Sequence, residues 1–178
     1  MRKISLIGLL LAGAVALGCG AGSTDQGGSG ISGDSGAGTE EKAGAKVAKV
    51  GDAVRDGKFE FTVKSVKCGV RKVGTDLLGA TAQGQFCLVT VNVKNIGKEP
   101  QSFSDSNQKA YAADGTEYST DSEAGLYANK DADALFNEIN PGNGITGVLV
   151  FDIPKGGKLA KLELHDSLFS GGITVQLG

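Results

Sequence analysis

The 178-residue chain has no tryptophan, one histidine, one methionine and three prolines, and its three cysteines stand at positions 19, 68 and 87. With His165 as its one histidine, a metal site built on two imidazoles is excluded. The lack of tryptophan excludes an antibody-type domain, whose core sets a buried Trp against a long-spaced cysteine pair. No Cys-x-x-Cys spacing occurs, so the usual redox dithiol is missing. No apolar run reaches the roughly 20 residues that cross a bilayer. Basic residues number 18 against 20 acidic. No basic stripe is present to neutralise a run of phosphates, and nucleic acid is not an expected partner. A long helical period is missing too, as are a nucleophile elbow and a phosphate-cradling glycine loop ahead of a helix.

What is present begins with Arg2-Lys3 and an apolar run over residues 4–17, followed by small residues. That order describes an export signal. Its end, Val15-Ala16-Leu17-Gly18-Cys19, resembles the lipobox of bacterial lipoproteins, in which the cysteine is diacylated on sulfur and becomes the mature N-terminus. Ala16 stands where leucine is more usual. The alternative is an ordinary secretory signal, with Cys19 lost or free. On the lipoprotein reading, residues 1–18 are a signal peptide, and the membrane is a partner through lipid on Cys19. Two acyl chains suffice for stable anchoring, placing the chain on the outer face of the cell membrane. Loss of Arg2 and Lys3 leaves 16 basic against 20 acidic residues.

After Cys19, residues 20–46 are glycine, serine, alanine, threonine and charge apart from Gln26 and Ile31. They cannot bury enough surface to offset their ordering entropy, so a disordered, flexible tether is expected there, with a reach of roughly 25–30 Å. Residues 47–178 are then one domain.

That domain is organised around residues 84–97. Cys87, Val89, Val91 and Val93 fall on one face of a strand, and Thr90, Asn92 and Lys94 on the other. Phe86 and Leu88 break the polar face at its start, where a second layer could cover them. Val47 and Val50 suggest a short first strand. Residues 58–66 follow, with Phe59, Phe61 and Val63 inward, and the parity changes after Ser65, as a β-bulge requires. Residues 69–84 show no period and read as a loop with a turn of helix. Asp114-Gly115 reads as a type I′ hairpin carrying Tyr111 and Tyr118. Residues 120–140 form the longest irregular stretch. Asn140-Pro141-Gly142 is a type II turn signal, leading to residues 144–152, apolar on both faces at 148–151. Pro154 stops that strand, and two more, at 159–165 and 173–177, close the chain. Short strands at regular spacing predict an all-β, immunoglobulin-like β-sandwich with Greek-key connections.

Several landmarks recur together: Val50-Gly51-Asp52, Phe59-Glu60-Phe61-Thr62-Val63, Val89 through Asn95, Ala113-Asp114-Gly115-Thr116-Glu117-Tyr118, Asn140-Pro141-Gly142 and Val150-Phe151-Asp152-Ile153-Pro154. In this order they resemble the DUF4352 domain, a telokin-like, immunoglobulin-like extracellular domain common in Gram-positive lipoproteins and secreted proteins. The secreted immunoprotective antigens of mycobacteria are among its relatives. The resemblance implies a sandwich and an extracytoplasmic setting, and supplies no catalytic residue.

Candidate chemistry is sparse. Cys68 ends one strand and Cys87 opens another, and outside the cytoplasm such a pair is expected to form a disulfide; a redox pair is the alternative. His165, Asp166 and Ser167 are the residue types of a triad, but successive strand residues point to opposite faces and cannot assemble it. Asp131, Asp133, Asn137 and Glu138 offer oxygen ligands without the spacing of a calcium loop. Leu126, Tyr127, Asp131, Asp133, Leu135 and Phe136 mark a possible partner-binding loop, since binding residues of rigid β scaffolds concentrate on loops. The competing reading is a loop that covers a sheet edge. No cofactor is expected. A non-catalytic binding module for an unknown protein or ligand is the leading reading; an envelope spacer and a secreted hydrolase or redox enzyme are the alternatives.

Overall fold

Alternation of β-branched or aromatic residues with polar ones sets most of the domain into strands. The structure, a computed structural model, describes residues 47–129 and 137–178. Cys19, the signal and tether, Asp131, Asp133, Leu135 and Phe136 lie outside the described residues. In chain order the strands are β1 (Ala48–Lys49), β2 (Ala53–Asp56), β3 (Phe59–Gly74), β4 (Gly79–Asn95), β5 (Gln101–Ser102), β6 (Lys109–Tyr111) and β7 (Glu117–Ser119). Helix α1 (Ser122–Ala128) precedes β8 (Glu138–Ile139), β9 (Gly144–Ile153), β10 (Lys161–Leu164) and β11 (Ile173–Gln176).

One sheet has the order β2-β3-β4-β9 and the other β1-β11-β10-β6-β7, with β5 and β8 as a separate short pair. Between β4 and its neighbour β9 the chain crosses to the second sheet, builds β6 and β7, and returns, as a Greek key does. The core lies between the sheets. Phe59, Phe61, Val63, Cys87, Val89, Val91, Val93, Leu149 and Phe151 come from one side, and Ala110, Leu162, Leu164 and Val175 from the other. The face assignment made for β4 holds at Cys87, Val89, Val91 and Val93, all fully buried. Phe86 is buried as well, under a smaller cluster with Val73, Ala124 and Val150. That cluster is the second layer, and α1 supplies it.

Four expectations need correction. Residues 69–84 are no loop: β3 and β4 continue as a long hairpin arm to the Gly74–Gly79 pair. Register shifts at Val63/Ser65, Lys67/Val70 and Val70/Lys72 reset the parity each time, so no period survives in the sequence. Within residues 120–140 lies a helix, capped by the Asp121 carboxylate, which accepts from the Ala124 N–H at 2.9 Å. Buried Ala124 anchors it, with Tyr127 and Ala128 packed beside, while Leu126 is exposed. The hairpin at Asp114-Gly115 is not type I′: Gly115 N–H donates to the Ala112 carbonyl at 3.1 Å, so Ala113 and Asp114 are the central residues. Gly115, at φ 89°, then forms the glycine bulge of a longer loop. Finally, Val47 and Val50 flank β1 and are exposed; Ala48 is its core contact. The type II turn stands, with Gly142 at φ 81° and the Asn143 N–H on the Asn140 carbonyl at 3.0 Å.

Helix α1 and the residue after it also cover an edge. β9 ends its sheet, and an uncovered edge invites pairing with another chain. The Asn129 side chain accepts from the Val148 N–H at 2.8 Å and donates to the Val148 carbonyl at 3.0 Å, as a neighbouring strand would. The Asp121 N–H donates to the Val150 carbonyl at 2.8 Å. Replacing Asn129 by leucine strands both Val148 groups and is expected to cost about 1–3 kcal/mol. Urea denaturation checks the cost, and light scattering should show association. A variant unchanged in both would show that the edge is guarded by other means.

Candidate functional site

Outside the core, two clusters of side chains could meet another molecule. The first is a groove of about 310 Å³ on the outer face of the β3-β4-β9 sheet, beside α1. Strand alternation places Leu88 and Thr90 of β4 and Val148 of β9 on this face. The shifts in β3 bring Ser65, Lys67, Val70 and Lys72 beside them, and Tyr127 of α1 lines the groove as well. Lys72 is 3.1 Å from the Asp76 carboxylate near the tip of the arm. The groove therefore offers ammonium groups and hydroxyls beside an apolar lining. Exposed Leu77 and Leu78 lie in the turn at the end of the same arm. Of the loop residues singled out from sequence, Tyr127 reaches this groove and Leu126 does not line it.

The second cluster lies on the outer face of the opposite sheet. Lys109 is 3.1 Å from Glu117, and the Tyr111 hydroxyl donates to Glu117 at 3.1 Å. The bond from Lys109 holds the Glu117 carboxyl below its ordinary range, with Tyr111 assisting. Partial burial and the nearby Glu117 carboxylate push the Tyr111 phenol up. His165 does not join Asp166 and Ser167. Its Nε2 is 2.9 Å from Glu163 and its Nδ1 3.2 Å from the Ser170 hydroxyl. Asp166 instead accepts from the Lys58 N–H at 2.9 Å. Carboxylate, imidazole and hydroxyl are thus in sequence, but the Ser170 hydroxyl also donates to the Ser167 carbonyl at 3.1 Å, which fastens the loop. The sequence held one signal for the pair: Glu163 and His165 are two apart, hence on one face of a strand.

Cys68 and Cys87 are joined by a disulfide. Among the described residues, no group of three or more His, Cys, Asp or Glu side chains is placed to hold a metal ion.

Residues 48–174 match the family described as a domain of unknown function, DUF4352. The chain belongs to this family. Over 117 residues it is 34% identical to an uncharacterized protein of Bacillus subtilis, YxkC, the match taking in 62% of this chain and 64% of that protein. The DUF4352 chain thus spans under two thirds of this relative's length. Among solved structures, the yjhA protein of Bacillus subtilis superposes with a TM-score of 0.54 at 18% identity, covering 74% of this chain and all of that one. The secreted protein MPT63 of Mycobacterium tuberculosis gives a TM-score of 0.53 at 16% identity, over 73% of this chain and 95% of its own. At those identities the likeness is one of fold, and the DUF4352 sandwich is that shared fold.

Proposed function

We propose that this DUF4352 chain is an exported binding domain, held to the outer face of the cell membrane by lipid on Cys19. Its groove beside α1 would take an acidic, apolar-bearing segment of a partner protein. The observation that carries the reading is the company of Lys67 and Lys72 with Val70, Leu88, Tyr127 and Val148 in one groove. Ammonium groups beside an apolar lining complement a ligand with carboxylates and apolar side chains. Such a lining suits holding a ligand. On this reading the domain holds its ligand and does not transform it.

A photoreactive side chain at Tyr127 should capture a partner on intact cells, and one at Ser119, away from the groove, should not. Reversing Lys67 and Lys72 to glutamate is expected to weaken capture at least about tenfold, with the melting temperature unchanged. Capture that ignores both reversals would overturn the groove reading. The anchor is tested separately. Mass spectrometry of the native N-terminus should find an acylated Cys19, and Cys19→Ala should abolish membrane retention. An unmodified N-terminal peptide starting elsewhere removes the anchor from the proposal.

A further inference from the structure

Leu168 and Phe169 occupy the two central positions of a turn that the Ser170 N–H closes on the Ser167 carbonyl at 3.2 Å. They are 74% and 93% exposed. Central turn positions favour Gly, Pro, Asn, Asp and Ser for backbone reasons. Leucine and phenylalanine have no such reason to be there, and neither residue belongs to a core cluster. The base of the turn is braced. Asp166 accepts from the Lys58 N–H at 2.9 Å and donates its own N–H to Asp56 at 2.7 Å. His165 is held between Glu163 and Ser170. Gly172, at φ 68°, packs on the imidazole so closely that a Cβ there would lie 2.5 Å from Cε1. A braced turn that lifts two large apolar side chains into water suits an apolar partner.

The point where the chain enters the sheet indicates which partner. β1 runs parallel to β11 with Ala48 opposite Val175. Val47 therefore lies toward the Ile173 end of β11, the end that the 165–172 loop joins. The described chain begins at Val47, at this end of the sheet, and a glycine- and serine-rich segment of 28 residues, the number from 19 to 46, would reach roughly 25–30 Å. Lipid on Cys19 would keep Leu168 and Phe169 within reach of the head groups. The Leu77-Leu78 turn sits at the far end of the β3-β4 arm.

We infer that the Leu168-Phe169 turn is a membrane-contact finger, which inserts its two side chains at the boundary of head groups and acyl chains. The inference rests on the anchor reading for its local concentration, because two side chains alone bind a bilayer weakly and tethering supplies the rest.

With no tryptophan in the chain, Phe169→Trp creates a single reporter. The Cys68–Cys87 bond leaves Cys19 as the one free thiol. The chain from Cys19 onward can therefore be coupled through that thiol to vesicles of phosphatidylglycerol and phosphatidylethanolamine bearing a maleimide lipid. Coupling should shift the emission of Phe169→Trp to the blue and allow quenching by brominated acyl chains. Adding Leu168→Asp should lower the inserted population at least about tenfold. A Leu78→Trp reporter should stay unmoved. An unshifted Phe169→Trp emission, or an equal shift at Leu78→Trp, overturns the finger. Chemical coupling supplies the tether whatever the native N-terminus carries, so the finger and natural acylation can fail independently.

Discussion

Phe61→Ala is expected to lower the stability of the domain by about 3–5 kcal/mol, the range for deleting a buried aromatic ring. Phe61 is fully buried, opposite Val54 on β2 and Val93 on β4. Its ring centroid lies 5.9 Å from that of Phe59 and 6.2 Å from that of Phe103. Phe103 follows β5, on the crossing between the two sheets, so the cavity would open where the sheets are tied together. Phe169→Ala is the matched control. It removes the same ring from an exposed site and should change stability by no more than about 0.5 kcal/mol. Urea denaturation of both variants checks the pair. Equal losses would mean that the core has been placed on the wrong face of β3.

The same alternation that buries Phe61 made this part of the fold legible. From Phe59 to Val63 and from Cys87 to Val93, each strand sees the core on one side throughout, so a period of two persists in the sequence. At Val148 to Phe151 both sides are covered, by the core and by the α1 cluster, and the run is apolar without alternation. The distal arm was illegible because its bulges change which side faces inward every few residues. Helix α1 was illegible for another reason. It is seven residues long, contains Gly125, and touches the smaller cluster mainly through Ala124, Tyr127 and Ala128. That is too little apolar surface to print a helical period.

Site residues divide along the same line. Glu163 lies in β10 and His165 directly after it, two residues on, and local spacing alone could have paired them. The groove draws Lys67 from β3, Thr90 from β4, Val148 from β9 and Tyr127 from α1, and their meeting depends on register and on how α1 docks. No local pattern encodes that. Buried Asn95 is a similar case. Its side chain donates to the carbonyls of Glu99 and Ile139, each at 2.7 Å, joining the end of β4 to β8 far along the chain. In sequence it reads as the polar end of a strand.

Replacing both Cys68 and Cys87 by alanine is expected to cost about 2–5 kcal/mol, as loss of a native disulfide does in small secreted domains. Where that loss falls follows from the register. Lys67 pairs with Leu88, but the next matched pair is Val70 with Phe86, so β3 carries an extra residue directly beside the bond. Gly69, at φ 85°, sits at that irregularity. A bulge is a place where pairing can slip by one residue and turn each side chain beyond it to the other face. The Cys68–Cys87 bond fixes the register there. Beyond it, the arm keeps Val73, Ala80, Ala82 and Phe86 against α1, and the groove depends on that placement. The double variant should therefore lose amide protection chiefly over residues 69–86 and in α1, with residues 53–66 exchanging more slowly. Hydrogen exchange on the native protein reads this directly. A uniform loss of protection along β3 would show that the bond stabilises the whole sandwich through the unfolded chain and does not specifically hold the arm.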